Sequence, residues 1–333
     1  MSSRFALVTD IHANWHALRA IIDDVADVNS SCIDNPYRFW FLGDIIGYGP
    51  HPVECLNWLR YKSRIGDRWV PGNHDAWLIN PEGVNPDADE SLKRHRDLLA
   101  EDTQSELGRW FREELYRALG TGFGIDPNNE EPRWRVCEKS SDWTLFFVHA
   151  NLFDRRRTYL WAWDPGQLSL EFGRMKKEVG EDANAVLFCG HAHYPLFARQ
   201  LPNPDESVAL QSIRYFTRLK IQPGLTIINP GSAGQPRDGD SRAAYALFDA
   251  EDMTIEFRRV GYDVDKTIAD LDEKKYPKSL GERLATGNGK SELASYFSVY
   301  RRPRWDLEAY ESSAPGELPE EPDEHWYGRR GDA

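Results

Sequence analysis

The sequence predicts an α/β sandwich, two β-sheets flanked by helices, and three observations carry that prediction. Short apolar runs alternate with helical patterns along the first half of the chain. Polar residues close those apolar runs. A series of shorter strand-like runs follows in the second half. Alternation of strand and helix signals argues for a layered α/β architecture. In such folds ligands sit beyond the carboxyl ends of the strands.

The elements follow in order. Residues 4–10 (RFALVTD) read as a buried strand ending in a carboxylate. Asn14 to Val28 reads as a helix, because Trp15, Leu18, Ile21, Ile22 and Val25 fall at helical spacing. Tyr37 to Leu42 is a strand closed by Gly43 and Asp44. Pro52 to Tyr61 is a helix with proline at its entry. Arg68 to Val70 is a third strand, closed by Gly72-Asn73-His74-Asp75. Asp89 to Ala100 and Gln104 to Leu119 are amphipathic, and the stretch of about 78–142 reads as a helical insertion. It either forms a lid beside a site or pads one sheet. Thr144 to Val148 is a strand followed by His149, Gly166 to Val179 a helix, and Ala185 to Phe188 a strand followed by Gly190-His191-Ala192-His193. Shorter strands are expected at 196–199, 208–213, 225–228, 243–248 and 254–260. Their run predicts a second, mostly antiparallel sheet packed on the first. Val264 to Leu271 reads as a helix. The domain organisation expected is a domain over 1–275, an extension over 276–311, and a mobile acidic, proline-rich tail over 312–333 in which Trp326 and Tyr327 have no assigned place.

Composition excludes several classes. The chain has 333 residues, 40% of them hydrophobic, enough for a sizeable core. No apolar stretch approaches the length of a transmembrane helix, and no basic-apolar-small series marks a signal peptide. A cytoplasmic location with no membrane partner is therefore expected. The cysteines Cys32, Cys55, Cys137 and Cys189 match neither a zinc-ligand spacing nor a disulfide framework and read as free thiols. A net charge of −13 disfavours a nucleic-acid partner. The 12 tryptophans are scattered with no common face and read as packing residues.

Chemistry is concentrated in five motifs, each after a strand: Asp10-Ile11-His12, Gly43-Asp44, Gly72-Asn73-His74-Asp75, His149, and Gly190-His191-Ala192-His193. Of the 9 histidines, five fall in these motifs. One such motif arises by chance; the joint set does not. Mixed imidazole and carboxylate donors suit transition metals rather than the all-oxygen shells of calcium or magnesium. A pair of cations needs such a set, with one carboxylate able to bridge. Residues two apart on an extended strand end point the same way, so Asp10 and His12, and likewise His191 and His193, are expected to converge through strand geometry.

The chain reads TDIHAN, GDIIGYGP, GNHD, GHAH and NPGSAGQPRDGD at successive places, and over roughly residues 4–275 it resembles the calcineurin-like metallophosphoesterases, in particular the small bacterial phosphoesterases. The resemblance implies two mixed sheets flanked by helices and a dinuclear centre. Asp10, His12, Asp44 and His193 would hold one metal; Asn73, His149 and His191 would hold the second, with Asp44 bridging. A metal-bridging hydroxide would be the nucleophile. His74 would be no ligand and would act as general acid or stabilise the transition state. Two divalent transition-metal ions are expected, with manganese ahead of iron, zinc and nickel.

Departures from the protein-phosphatase branch narrow the activity. Tyr48 and Gly47 stand where that branch has a phosphate-gripping arginine and an aspartate, and Pro71 stands in place of a second arginine. The expectation is a hydrolase of small-molecule phosphoesters, a phosphodiesterase, with a phosphomonoesterase or phosphoprotein phosphatase as the alternative. A non-catalytic scaffold is a third reading, opposed by the complete ligand set. A nuclease is a fourth, opposed by the acidity. Three details stay open. Tyr48 either hydrogen-bonds substrate or packs beside the loop. Arg237 either reaches the phosphate or belongs to a structural turn over 229–240. Asp75 either orients His74 or caps the following helix. His16 and His51, off the ligand pattern, read as surface residues.

Overall fold

The computed structural model describes residues 3–81, 83–101, 104–119, 135–140, 142–153, 158–201 and 208–287. The chain runs β1 (Arg4–Val8), α1 (Trp15–Ser30), β2 (Arg38–Phe41), α2 (Pro52–Arg64), β3 (Arg68–Trp69), α3 (Asn73–Trp77), α4 (Pro86–Leu98), α5 (Ser105–Leu119), β4 (Arg135–Ser140) and β5 (Trp143–Val148). It continues with α6 (Pro165–Val179), β6 (Asn184–Phe188), β7 (Pro195–Gln200), β8 (Val208–Leu210), β9 (Arg218–Lys220), β10 (Leu225–Pro230), β11 (Ala243–Asp249), β12 (Thr254–Val260), α7 (Val264–Glu273) and α8 (Lys278–Thr286).

Capping chemistry sets the helix starts. Asn14, Asn85, Asp164 and Asp263 each accept an amide hydrogen of the first turn, at 2.8–3.2 Å. Proline sits at the first turn of α2, α4 and α6, where its missing N–H is not needed.

Two six-stranded sheets form among the described residues, ordered β3-β2-β1-β11-β12-β9 and β4-β5-β6-β10-β7-β8. The first is parallel through β3, β2 and β1, then antiparallel. In the second, β5, β6 and β10 are parallel and the flanking pairs antiparallel. Both sheets are mixed, as the resemblance implies. The expected grouping of the late strands fails. β11 pairs with β1, and β12 with β11, in the first sheet; along β1, Leu7 faces the second sheet while Ala6 and Val8 face helices. Four elements have no counterpart in the sequence reading: β4, β9, α3 and α8.

The core is layered. Leu7, Trp40, Phe147, Phe188, Phe248 and Phe257 pack between the sheets, and Trp40 stacks on Phe147 with ring centroids 3.6 Å apart. Each such buried side chain contributes about 1.5–3 kcal/mol relative to exposure. Helices α1 and α2 cover the first sheet, and Leu92, Leu99, Leu107, Phe111 and Leu115 of the α4–α5 region join the same cluster. Helix α6 covers the second sheet through Leu168, Phe172 and Met175. Trp326 and Tyr327, with the rest of residues 288–333, lie outside the described residues.

Candidate metal centre

The parallel strands of both sheets point their carboxyl ends at one edge of the sandwich. Asp10 and His12 follow β1, Asp44 follows β2, Asn73 and His74 follow β3, His149 follows β5, and His191 and His193 follow β6. The convergence does not come from extended backbone. Asp10, His12, Asp44, His191 and His193 have φ of 51°, 48°, 53°, 63° and 58°. These are left-handed conformations that non-glycine residues adopt at a cost of about 1–3 kcal/mol each, so the strand-alternation account of the D-x-H and H-x-H spacing is corrected. Cross-loop hydrogen bonds hold the turns: Asp10 N to Gly43 O at 3.0 Å, His12 N to Asp44 O at 2.9 Å and Ala13 N to Ile45 O at 2.8 Å. Gly43, at φ 90°, could not carry a side chain, since a Cβ there would meet Gly72 N at 2.6 Å and His149 Nδ1 at 2.7 Å.

Two donor clusters share one carboxylate. Asp10, His12, Asp44 and His193 form the first; Asp44, His149 and His191 form the second. The Nε2 atoms of His12 and His193 lie 3.1 Å apart, and His193 Nε2 lies 3.2 Å from Asp10 Oδ1. His149 Nε2 lies 3.3 Å from Asp44 Oδ2 and 3.0 Å from Asn73 Oδ1. Three rings are fixed from behind. His149 Nδ1 donates to Leu42 O at 2.8 Å, His193 Nδ1 to Gln235 O at 2.6 Å, and His12 Nδ1 to Ile46 O at 3.3 Å. That tautomer leaves each Nε2 lone pair facing the centre. All seven sequence-predicted ligands are buried. Asp10 Oδ1 and His191 Nε2 have no hydrogen-bond partner among the described residues. Buried acceptors without donors are costly, and two divalent cations would satisfy them. The donors present fit such a group.

Titration follows from this crowding. Burial would raise the Asp44 carboxyl, but the charges of His149 and His74 hold it well below its ordinary value. With no ion bound, burial opposes protonation of His149, yet the Asp44 charge and hydrogen bond raise it to about 9, and a cation would displace that proton to reach the Nε2 lone pair. Burial lowers His12 and His193 and takes His191 down to about 3.

His74 stands beside the ligands rather than among them. Its amide donates to Asp44 Oδ1 at 2.8 Å. Its ring is walled by Tyr48, His12 and Trp77, with centroids at 4.4, 4.7 and 4.8 Å. Burial, against the pull of Asp44, lowers it to about 4. Asp75 does not orient it. One Asp75 oxygen accepts from the amides of Ile45 and Ile46, and the other from Gly72 at 2.9 Å, which caps α3. His74 Nδ1 has no partner among the described residues. Of the two roles weighed for Asp75, the structure gives the cap and denies the orienter.

A cavity of about 240 Å³ opens over the centre, lined by Asp44, Asn73, His74, His191 and His193 together with Tyr48, Trp77, Gly83, Asn85, Tyr159 and Arg237. Both Tyr48 and Arg237 thus reach the site. Tyr48 also receives a hydrogen bond from Asn85 Nδ2 at 3.2 Å. The segment carrying Arg237 joins β10 of the second sheet to β11 of the first, so it is a turn between sheets as well.

Other residues went unmarked in the sequence. Tyr159 stacks on His191 at 4.1 Å, and Trp161 and Trp163 continue the stack at 5.0 and 4.7 Å, so these tryptophans do share a face. Thr9 donates to Asp10 Oδ2 at 2.8 Å. His95 accepts from Gly47 N through Nδ1 at 3.3 Å and donates from Nε2 to Gly49 O at 2.9 Å. The Tyr-x-Trp-x-Trp repeat was the available signal for the stack; nothing in the sequence marked His95. His16 and His51 are not plain surface residues, since both contact Asp270 and His51 is 6% exposed.

A buried two-cluster site at the carboxyl ends of a β-sandwich defines a metal-dependent hydrolase. The chain belongs to the calcineurin-like phosphoesterase family, whose model matches residues 3–195. It is a metallophosphoesterase, a hydrolase of phosphoric esters that uses divalent metal ions. A metallophosphoesterase from Sphaerobacter thermophilus is similar, with 30% identity, TM-score 0.63, and coverage of 85% of this chain and 99% of that one. An uncharacterized protein of Methanocaldococcus jannaschii is 26% identical over 290 residues, 86% of this chain and 99% of its own. A symmetrical bis(5'-nucleosyl)-tetraphosphatase of Psychromonas ingrahamii is 33% identical over 109 residues, 32% of this chain and 36% of its own. Among the described residues no helix is long and apolar enough to cross a membrane.

Proposed function

We propose that the protein is a dinuclear, metal-dependent phosphodiesterase acting on small molecules, manganese being the first ion to try and iron, zinc and nickel the others. The observation that supports it most is the cavity wall. Apart from imidazoles, Arg237 is the one basic side chain among the described residues that line it. Bound cations would supply Lewis acidity at the phosphoryl oxygen and an activated water. Asp44, shared by both donor clusters, orients the two sets toward one another. His74 faces the same space. Being neutral at pH 7, it serves a leaving oxygen through a ring N–H, and full proton transfer grows more favourable as pH falls toward 4. A diester carries one negative charge and asks for little cationic grip, whereas a monoester dianion asks for more. Tyr48, Trp77, Tyr159 and Asn85 offer the second ester arm aromatic and amide surface. The name of the Psychromonas relative makes nucleotide esters reasonable members of a substrate panel.

The second reading, a phosphomonoesterase, rests on Arg237 itself. Its guanidinium stands near Tyr48, Tyr159 and Asp10, which together outweigh burial and raise its pKa. The test is kcat/KM on matched aryl mono- and diesters, in wild type and in Arg237→Ala. The expected wild-type ratio favours the diester, and the variant loses roughly tenfold more on the monoester. A strong wild-type preference for the monoester, abolished by Arg237→Ala, would replace the diesterase reading with the phosphatase one.

A further inference from the structure

A second imidazole-carboxylate cluster stands outside the catalytic cavity. His16 lies on α1, His51 immediately before α2, and Asp270 on α7. Their donor atoms all lie within 4.8 Å of one another. His16 Nε2 is 2.8 Å and His51 Nε2 3.0 Å from the same oxygen, Asp270 Oδ2. We propose that His16, His51 and Asp270 form a third metal site, for a zinc-class transition ion, that clamps α1 and α7 onto the loop carrying Tyr48.

Geometry is the first support. A tetrahedral zinc with ligands at about 2.0–2.2 Å sets its donor atoms roughly 3.2–3.6 Å apart. Imidazole and carboxylate donors of the strand-end centre stand 3.1–3.9 Å apart, and the two imidazole-carboxylate distances at Asp270, 2.8 and 3.0 Å, are shorter. Donor chemistry is the second. Two imidazoles and one carboxylate suit zinc, nickel or cobalt. His16 is 28% exposed at its side chain, so water can take a fourth position. The carboxylate is divided: Lys266 Nζ takes Oδ1 at 2.6 Å and leaves Oδ2 to the two imidazoles. Lys274, whose Nζ donates to Pro50 O at 2.7 Å, and Glu54 complete the charges facing His51. The lysines hold the affinity below that of the strand-end centre, so this ion binds last and leaves first.

The location has a consequence for the catalytic cavity. His51 N donates to Ala13 O at 2.9 Å, next to His12. Tyr48 packs with Leu271, Tyr276, Leu280 and Leu284 of the α7–α8 region. An ion at Asp270 therefore ties the C-terminal helices to both the D-x-H turn and the Tyr48 loop.

The test strips the full-length protein with a chelator and titrates zinc against a chromophoric competitor. Wild type is compared with His16→Gln, a change at the most exposed of the three residues. The variant is expected to bind one ion fewer per chain, the weakest one, and to lose the matching part of the zinc-induced rise in Tm. Asp270→Asn, checked for folding by circular dichroism, should show the same deficit. Because only the difference from wild type is read, the number of ions held at the strand-end centre does not enter. Equal stoichiometry in wild type and both variants would overturn the proposal and leave a hydrogen-bonded staple.

Discussion

The two sides of the cavity are built differently. On one side, strand-end loops present metal donors on left-handed backbone, each loop pinned to its neighbour by amide-carbonyl bonds. On the other, α3, α4, α7 and α8 supply Trp77, Asn85, His95 and the apolar bed under Tyr48. The strand side stores strain where lone pairs must converge, and a cation that satisfies them offsets it. The helical side positions an aromatic loop by packing and hydrogen bonds, and its own left-handed residues, Tyr48 at φ 57° and Lys275 at φ 58°, present no metal donors. The difference teaches a division of labour: one side holds the ions, the other shapes what meets them. Substitutions on the first should cost metal, and those on the second should cost stability or fit with metal retained.

The largest effect is expected at Asp44, which belongs to both donor clusters. Asp44→Asn keeps the size but removes the charge that raises His149 and leaves one oxygen donor where the carboxylate offered two. Changing a residue behind a metal ligand typically costs 10–100-fold, so kcat/KM should fall by more than about 100-fold. Elemental analysis should show both ions depleted. His193→Ala, confined to one cluster, should deplete one. Full occupancy in Asp44→Asn would break the comparison, since the strand side would then hold metal without its shared carboxylate.

His74 sits at the junction of the two sides and sharpens the contrast. It is on helix α3, yet its amide binds Asp44. As a donor that is no ligand, His74→Asn should lower kcat by about 10²–10⁴-fold with metal content intact. Metal lost in parallel with activity would move His74 into the ligand set.

How much of this was legible in sequence follows the same division. The strand side was readable because each ligand group is local: two or three residues, with the glycines that close approach demands, directly after an apolar run. Its conformation was not. Spacing of D-x-H is equally consistent with extended and left-handed backbone, and only hydrogen bonds to Gly43, Asp44 and Ile45 select the latter. The helical side was opaque. His16, His51 and Asp270 meet across 254 positions, and His95 touches Gly47 and Gly49 from a segment read as an insertion. The late strands were recognised singly, and β7, β8 and β10 do lie in the second sheet, but β11 and β12 belong to the first; Ala243–Asp249 is buried on both faces and carries no alternation to show its neighbours.

The smallest expected effect, and the one that most directly tests the helical side, is the acid sensitivity of His95. The ring is fully buried, with Nδ1 accepting from Gly47 N and Nε2 donating to Gly49 O. Protonation would set an N–H against the Gly47 N–H inside the core. Burial is the main cause lowering its pKa, to about 4. The ordinary histidine value is about 6.5, so the unfolded chain binds the proton more readily than the folded one over that interval. Stability from this group is therefore complete above pH 6.5, declines as pH falls below it, and levels off below about 4, a loss of about 2–4 kcal/mol. His95→Gln keeps a donor and an acceptor but cannot titrate. It should cost about 1–2 kcal/mol at pH 7.5 through imperfect hydrogen bonds. It should also flatten the wild-type decline between pH 7.5 and 5, as read by urea midpoints with metal present at both values. Metal content should not change. A variant as acid-sensitive as wild type would mean that the decline belongs to other buried histidines and that His95 is merely packed beneath the Tyr48 loop. A variant that loses metal would show that the helical side reaches into the ion-holding side after all.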